Sequence, residues 1–189
     1  MKYEELIEKI SQKELKKTLY YSQALFFTIA LILSFTFFRG KINWGQLLTF
    51  NLRDLILYGL LLAIVIVVLE LLLYHFLDEK HFDDGGLNEK LFKNLPIHQV
   101  FFIALIVAIS EEVLFRGVIQ SVFGYIVAST LFALMHYRYF KKIVLFSLLV
   151  LLSFLLGFLF ELTNSLYVTI VFHFIVDFLL GLYIAKRVR

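Results

Sequence analysis

Residues 100–117 read Val-Phe-Phe-Ile-Ala-Leu-Ile-Val-Ala-Ile-Ser-Glu-Glu-Val-Leu-Phe-Arg-Gly, an apolar run that ends in two adjacent carboxylates and an arginine. A charged side chain at the centre of a membrane helix costs roughly 2.5–3.5 kcal/mol on insertion scales. Glu111, Glu112 and Arg116 therefore need partners inside the protein. An ionisable cluster at membrane depth predicts a functional site.

The composition of the chain is that of an integral membrane protein. Of its 189 residues, 61% are hydrophobic and 17% are charged, whereas a soluble domain has about 45–50% and about 25%. The single proline predicts helices that are mostly unbroken. The absence of cysteine excludes disulfides, thiolate catalysis and cysteine-ligated metals. The net charge of +3 comes without a long basic block, so we expect no nucleic-acid partner.

Six segments approach the roughly 20 apolar residues that a membrane-spanning helix needs. We expect these helices at residues 20–38, 55–76, 99–120, 121–139, 143–160 and 165–185. The predicted fold class is therefore all-α, a polytopic membrane helix bundle of about six transmembrane helices. Most lysines and arginines outside the spans lie in the two termini and in the loops that fall on the same side of the membrane as the termini. The positive-inside rule then predicts a multi-pass protein of the cell membrane with both termini in the cytoplasm.

Spacing relates the charged residues of the motif to one another. Glu112 and Arg116 are four residues apart on one helix face, with the acid first, which predicts an ion pair. Glu111 lies about 100° around the helix from Glu112 and is free to face a different group.

Two further motifs follow on later helices. Phe132 and His136 are four residues apart, and so are His173 and Asp177, which are separated only by apolar residues. Such polar pairs in a span face the bundle interior, as helix-helix contacts or as a site. Glu111 could take a proton from a water molecule that His136 orients. His173 and Asp177 could then stabilise an oxyanion.

A metal site is the alternative chemistry for the same residues. Glu111, His136, His173 and Asp177 offer nitrogen and oxygen ligands for a divalent metal such as zinc. The sequence has no His-Glu-x-x-His motif, which excludes zincin geometry. The residues alone do not separate the two mechanisms, so no cofactor is certain.

The three motifs, in this order on successive helices, resemble those of the CPBP family. This family groups the type II CAAX prenyl endopeptidases with bacterial bacteriocin-processing and self-immunity proteins, and is also called Abi. The motifs are Glu-Glu-x-x-x-Arg at 111–116, Phe-x-x-x-His at 132–136 and His-x-x-x-Asp at 173–177. The resemblance covers about residues 99–185 and implies a four-helix catalytic core.

The resemblance implies an intramembrane endopeptidase, a hydrolase of glutamate type or metallo type. It implies that Glu111 is the general base and that His136 helps to hold the water. It implies that His173 and Asp177 form the face that stabilises the oxyanion. Glu112, Arg116 and Phe132 would support these residues structurally. The family often carries asparagine where this chain has Asp177, so the donor role there requires a proton or an altered geometry.

The expected organisation follows from these motifs. Residues 1–19 form a cytoplasmic arm, 20–98 hold two transmembrane helices with their loops, 99–185 form the catalytic core, and 186–189 are a cytoplasmic tail. The short chain, rich in lysine, isoleucine and phenylalanine and free of cysteine, looks bacterial. A bacterial origin favours a membrane-bound peptide or protein substrate over a prenylated CAAX protein. The oligomeric state is not predicted.

Two other functions remain open. One is a non-catalytic immunity or sensor-regulating scaffold, and the other is a proton-coupled transporter. Glu70 lies inside the second span. We expect it to extend to the membrane interface, and the alternative is that it pairs with Arg116 or a histidine.

Overall fold

Apolar helices make up the fold. The computed structural model describes residues 9–187 except Glu79, Lys80 and Asp83. This part of the chain is helical and holds no strand, which confirms the all-α prediction. We label the helices α1 Gln12–Phe37, α2 Trp44–Leu47, α3 Leu52–Phe76, α4 Leu87–Phe92, α5 97–123, α6 Tyr125–Met135, α7 Ile143–Thr163 and α8 Leu166–Arg187.

Four of these helices are long and apolar enough to cross a membrane, namely α1, α3, α7 and α8. Helix α5 is about 40 Å long at 1.5 Å per residue, but it carries the three charges of the first motif. Helix α6 has 11 residues and spans about 16 Å, roughly half of a hydrocarbon core of about 30 Å. The membrane bundle is therefore confirmed, whereas the count of six spans is not.

The predicted fourth span, residues 121–139, has the wrong bounds. Its first three residues continue α5, and Gly124 then breaks the helix with φ +86° and ψ 170°, a conformation that glycine adopts readily. At the other end, His136 leaves the helix with φ −93° and ψ 40°. A short 3-10 turn, Tyr137–Tyr139, follows it.

Helix α1 begins at Gln12 rather than at residue 20. Ser11 and Glu14 form a capping box, in which the Ser11 hydroxyl accepts from the Glu14 amide and the Glu14 carboxylate accepts from the Ser11 amide. The Lys16 ammonium donates to Gln99 on α5 at 3.0 Å. Residues 12–19 of the predicted arm are therefore helical, and residues 1–8 lie outside the described residues.

Two apolar clusters hold the helices of the bundle together. One joins α3, α7 and α8 through buried residues that include Val67, Leu156 and Phe172. The other joins α1, α5 and α6 through Ala30, Phe115 and Phe132. Between Val113 and Gln120, α5 winds as a π-helix, a geometry that often marks functional sites. The charged motif lies on the same stretch of α5 as Leu114 and Phe115 of the second cluster.

Candidate active site

A cavity of about 1190 Å³ opens between the helices. Glu111 of α5, His136 at the end of α6, and His173 and Asp177 of α8 all line it, as does Phe132. The lining continues to Leu87–Glu89 and Arg138–Tyr139, at the loop end of the bundle. The structure therefore brings the four predicted catalytic side chains to one cavity, and their roles remain predictions.

Glu111 faces this cavity from the middle of the bundle. The residue is 5% exposed, and its Oε1 accepts a hydrogen bond of 3.2 Å from the Gln23 amide on α1. Among the described residues no hydrogen bond involves the second oxygen, Oε2. His136 and His173 are close enough to interact electrostatically with the carboxylate. One oxygen is thus held by the protein, and the other is left for a ligand.

Glu112 turns away from Glu111 and is fully buried. Its Oε2 pairs with the Arg116 guanidinium at 3.3 Å, which confirms the predicted ion pair. Its Oε1 lies 3.0 Å from Nδ1 of His173 on α8, a contact that the sequence analysis did not predict. Glu112 therefore links the arginine of its own helix to a histidine of the site.

Arg116 is also fully buried, and it has partners on three helices. Besides Glu112, its guanidinium donates to the Ser129 hydroxyl on α6 at 3.5 Å and to the Ser153 carbonyl on α7 at 3.2 Å. It also lies over the Phe132 ring, 5.2 Å from the centroid. Because each of the three guanidinium nitrogens has a hydrogen-bond partner, the charge can remain away from water.

Phe132 and His136 form the wall that α6 contributes. The Phe132 ring lies 5.0 Å from the His136 ring and 6.0 Å from the His173 ring, measured between centroids. Nδ1 of His136 is 2.9 Å from the Phe132 carbonyl oxygen. Since a carbonyl only accepts, Nδ1 carries the hydrogen, and the neutral ring keeps a lone pair at Nε2. That nitrogen can accept a hydrogen bond from water.

His173 lies between two carboxylates. Nδ1 faces Glu112 at 3.0 Å, and Nε2 faces Asp177 Oδ2 at the longer distance of 3.5 Å. The Asp177 side chain is 34% exposed, whereas that of His173 is 5% exposed. The longer contact lies on the open side, so a substrate oxygen can replace Asp177 there without disturbing Glu112.

A metal ion does not fit this arrangement of side chains well. Nδ1 of His173 is held by Glu112 at 3.0 Å, which leaves Nε2 as the nitrogen of this ring available to a metal. Within the described ranges, no three His, Asp or Glu side chains are grouped closely enough to hold one.

Glu70 of α3 lines the same cavity and is an electrostatic neighbour of Asp177. It is only partly exposed. It therefore faces the site, and among the described residues it forms no ion pair with a histidine. The alternative of a pair with Arg116 is not seen either.

Sequence reasoning missed Gln23 as part of the site. The only sign in the sequence was one amide side chain in an apolar stretch. Such a side chain does not indicate a site until the helix that packs against it is known. It also missed Ser129 and Ser153, because small hydroxyl residues are common in membrane helices and carry little information.

The chain is similar to a known protein family and to a bacterial protein. The model of the family described as type II CAAX prenyl endopeptidase Rce1-like matches residues 93–179, which include all the predicted site residues. The uncharacterized protein YpbD of Bacillus subtilis (strain 168) is 38% identical over 129 residues, 67% of this chain and 68% of that protein. No solved structure matches the chain.

Proposed function

The chain belongs to the Rce1-like family of type II CAAX prenyl endopeptidases, and on that premise we propose that it is an intramembrane endopeptidase. Its reaction is the hydrolysis of a peptide bond in a membrane-associated protein or peptide. The observation that carries the proposal is the position of Glu111, His136, His173 and Asp177 around one cavity within the bundle. A cavity of about 1190 Å³ is large enough for an extended peptide segment.

Water activation is the first step of the proposed reaction. Oε2 of Glu111 accepts a proton from a water molecule that also donates to Nε2 of His136. The water oxygen forms a bond to the carbonyl carbon of the scissile peptide, and the carbonyl electron pair moves onto its oxygen.

Stabilisation of the resulting oxyanion falls to His173. Its Nδ1–H is held by Glu112 at 3.0 Å. The contact of Nε2 with Asp177 is weaker, at 3.5 Å, so the Nε2–H group can donate to the oxyanion instead. Asp177 then acts by keeping the imidazole protonated. This role suits a carboxylate better than a direct donor role, which would require a protonated Asp177.

Collapse of the intermediate breaks the carbon–nitrogen bond. Glu111 returns its proton to the leaving nitrogen, which departs as an amine, and the other product is a carboxylic acid. We propose a metal-free mechanism because, among the described residues, no three His, Asp or Glu side chains are grouped closely enough to hold a metal. If the protein does use a divalent metal, treatment with a chelator will abolish cleavage, and a metal-free enzyme will be unaffected.

The test is peptide cleavage by the purified protein in lipid nanodiscs. We would use quenched fluorescent peptides in a prenylated CAAX form and an unprenylated apolar form, because the substrate class is open. Glu111→Gln is expected to lower kcat by a factor of about 100 to 10,000. The matched control is Glu161→Gln, at an exposed carboxylate near the end of α7, which should cleave like the wild type.

Two results would contradict the proposal. One is cleavage that survives Glu111→Gln unchanged, which would move the reaction to another site. The other is that neither peptide form is cleaved while cells that carry Glu111→Gln behave like cells that carry the wild type. That result would favour a non-catalytic scaffold.

A further inference from the structure

Gln23 is a buried polar residue on a helix outside the residues that the family model matches. It lies on α1, which ends at Phe37, whereas the match begins at residue 93. The residue is 6% exposed and lines the cavity with Leu19 and Ser22 of the same helix. Its side chain reaches Glu111, 88 positions away in the chain, with 3.2 Å between Nε2 and Oε1.

The hydrogen bonding of Gln23 is one-sided. Its Nε2 donates to Glu111, while its carbonyl oxygen Oε1 is buried and has no hydrogen-bond partner among the described residues. An amide that served to hold helices together would be favoured when both of its ends are paired, because an unpaired buried acceptor is costly. Among the described residues, the contact with Glu111 is thus the one polar interaction that accounts for an amide at this position.

We infer that Gln23 is a positioning residue, which fixes the Glu111 carboxylate by donating to Oε1 so that Oε2 is presented to the reacting water. A carboxylate at the end of a flexible side chain can rotate about its last bond. One anchored oxygen limits that rotation and leaves the other oxygen directed into the cavity. The catalytic part of the inference rests on the proposed function, but the effect of Gln23 on Glu111 does not.

Labelling by an apolar carbodiimide, N,N′-dicyclohexylcarbodiimide, tests the effect without any substrate. This reagent attacks protonated carboxyl groups, and an N–H donor held against a carboxylate favours its ionised form. Gln23→Met keeps the length of the side chain and removes the donor. We expect Glu111 to be labelled about tenfold faster in this variant, as judged by mass spectrometry, with Glu70 as the reference for access to the cavity.

Kinetics and a control variant separate positioning from folding. On whichever quenched peptide the wild type cleaves, Gln23→Met should lower kcat about tenfold and leave KM within about twofold. Thr28→Val removes an exposed hydroxyl that bonds only to Ala24 of the same helix, and it should change neither the labelling nor the kinetics.

A second variant at Gln23 tests the same role if the first variant does not fold. If Gln23→Met does not fold, Gln23→Glu keeps the shape and places a carboxyl group beside Glu111, which should also raise the labelling of Glu111. Unchanged labelling of Glu111 relative to Glu70 in a folded variant would overturn the inference. If the wild type cleaves no peptide but the labelling rises as expected, the proposed function fails and the role of Gln23 towards Glu111 stands.

Discussion

Glu112 and Arg116 show how single residues make a charged site tolerable inside an apolar bundle. Both are fully buried, and each has several partners, since Glu112 contacts Arg116 and His173 while Arg116 also reaches Ser129 and the Ser153 carbonyl. The pair thereby connects α5 to three other helices. Its charge is compensated locally, so that Glu111 on the neighbouring face can remain a separate group.

Removing one partner of this pair should be far more harmful than removing both. Glu112→Leu leaves the Arg116 charge buried without its carboxylate and is expected to cost about 3–5 kcal/mol of unfolding free energy. The double variant Glu112→Leu, Arg116→Met should recover part of that loss, because apolar replacements of a buried pair are often close to neutral, whereas Nδ1 of His173 still lacks its carboxylate. Both are measured by unfolding in mixed micelles.

The control for this prediction is Arg39→Met, at an exposed arginine in the loop after α1. It should lie within about 0.5 kcal/mol of the wild type. A double variant that is as unstable as Glu112→Leu alone would show that the pair is not the source of the stability.

At the scale of elements, the contact between α6 and α7 places the wall that carries Phe132 and His136. Gly157 on α7 makes this contact possible. A Cβ atom built there would lie 2.5 Å from the Ser129 hydroxyl and 2.7 Å from the Tyr125 ring, both on α6. Ser129 also accepts from Arg116 through its hydroxyl and from Ser153 through its carbonyl. The close approach of the two helices thus supports the buried charge network.

Gly157→Ala is therefore expected to push α6 away from α7. We expect a loss of about 1–3 kcal/mol in unfolding free energy, the usual effect of overpacking, and a lower kcat, because His136 moves with α6. Thermal unfolding and peptide cleavage measure the two effects.

Gly45→Ala is the matched control, since a Cβ there meets only the Asn43 side chain at an ordinary 3.5 Å. If Gly157→Ala is as stable and as active as Gly45→Ala, the α6–α7 contact does not position the site.

At the scale of the whole molecule, the orientation in the membrane decides where a substrate can enter. The cavity reaches the loop end of the bundle, where the lining includes Leu87–Glu89 and Arg187 at the end of α8. If both termini are cytoplasmic, as the lysine and arginine pattern predicts, the cavity opens towards the cytoplasm.

The cysteine-free chain offers a clean test of this orientation. Lys186→Cys marks the end of α8, and Leu162→Cys marks the opposite end of the bundle on α7; both positions are exposed. In intact cells a membrane-impermeant maleimide should label only Leu162→Cys. Lys186→Cys should react after the membrane is opened, and the reverse pattern would place the cavity mouth outside the cell.

The sequence is sufficient for some of these features and not for others. Apolar runs predict most of the long helices, because lipid demands them, and the spacing of Glu112 and Arg116 predicts their ion pair. The end of α5 and the shortness of α6 depend on the positive φ of Gly124, and glycines with either sign of φ look alike in a sequence. Contacts of Glu112 with His173, and of Gln23 with Glu111, join distant helices and follow only from the packing.

The most direct test of the central claim is cleavage of the quenched peptide in water enriched in the heavy oxygen isotope, with the products analysed by mass spectrometry. The wild type should give a product whose new terminal carboxylate carries one heavy oxygen. Glu111→Gln should give almost no product, and Glu161→Gln should match the wild type. Labelled product formed at the wild-type rate by Glu111→Gln, or wild-type product without the heavy oxygen, would contradict hydrolysis by water that Glu111 activates.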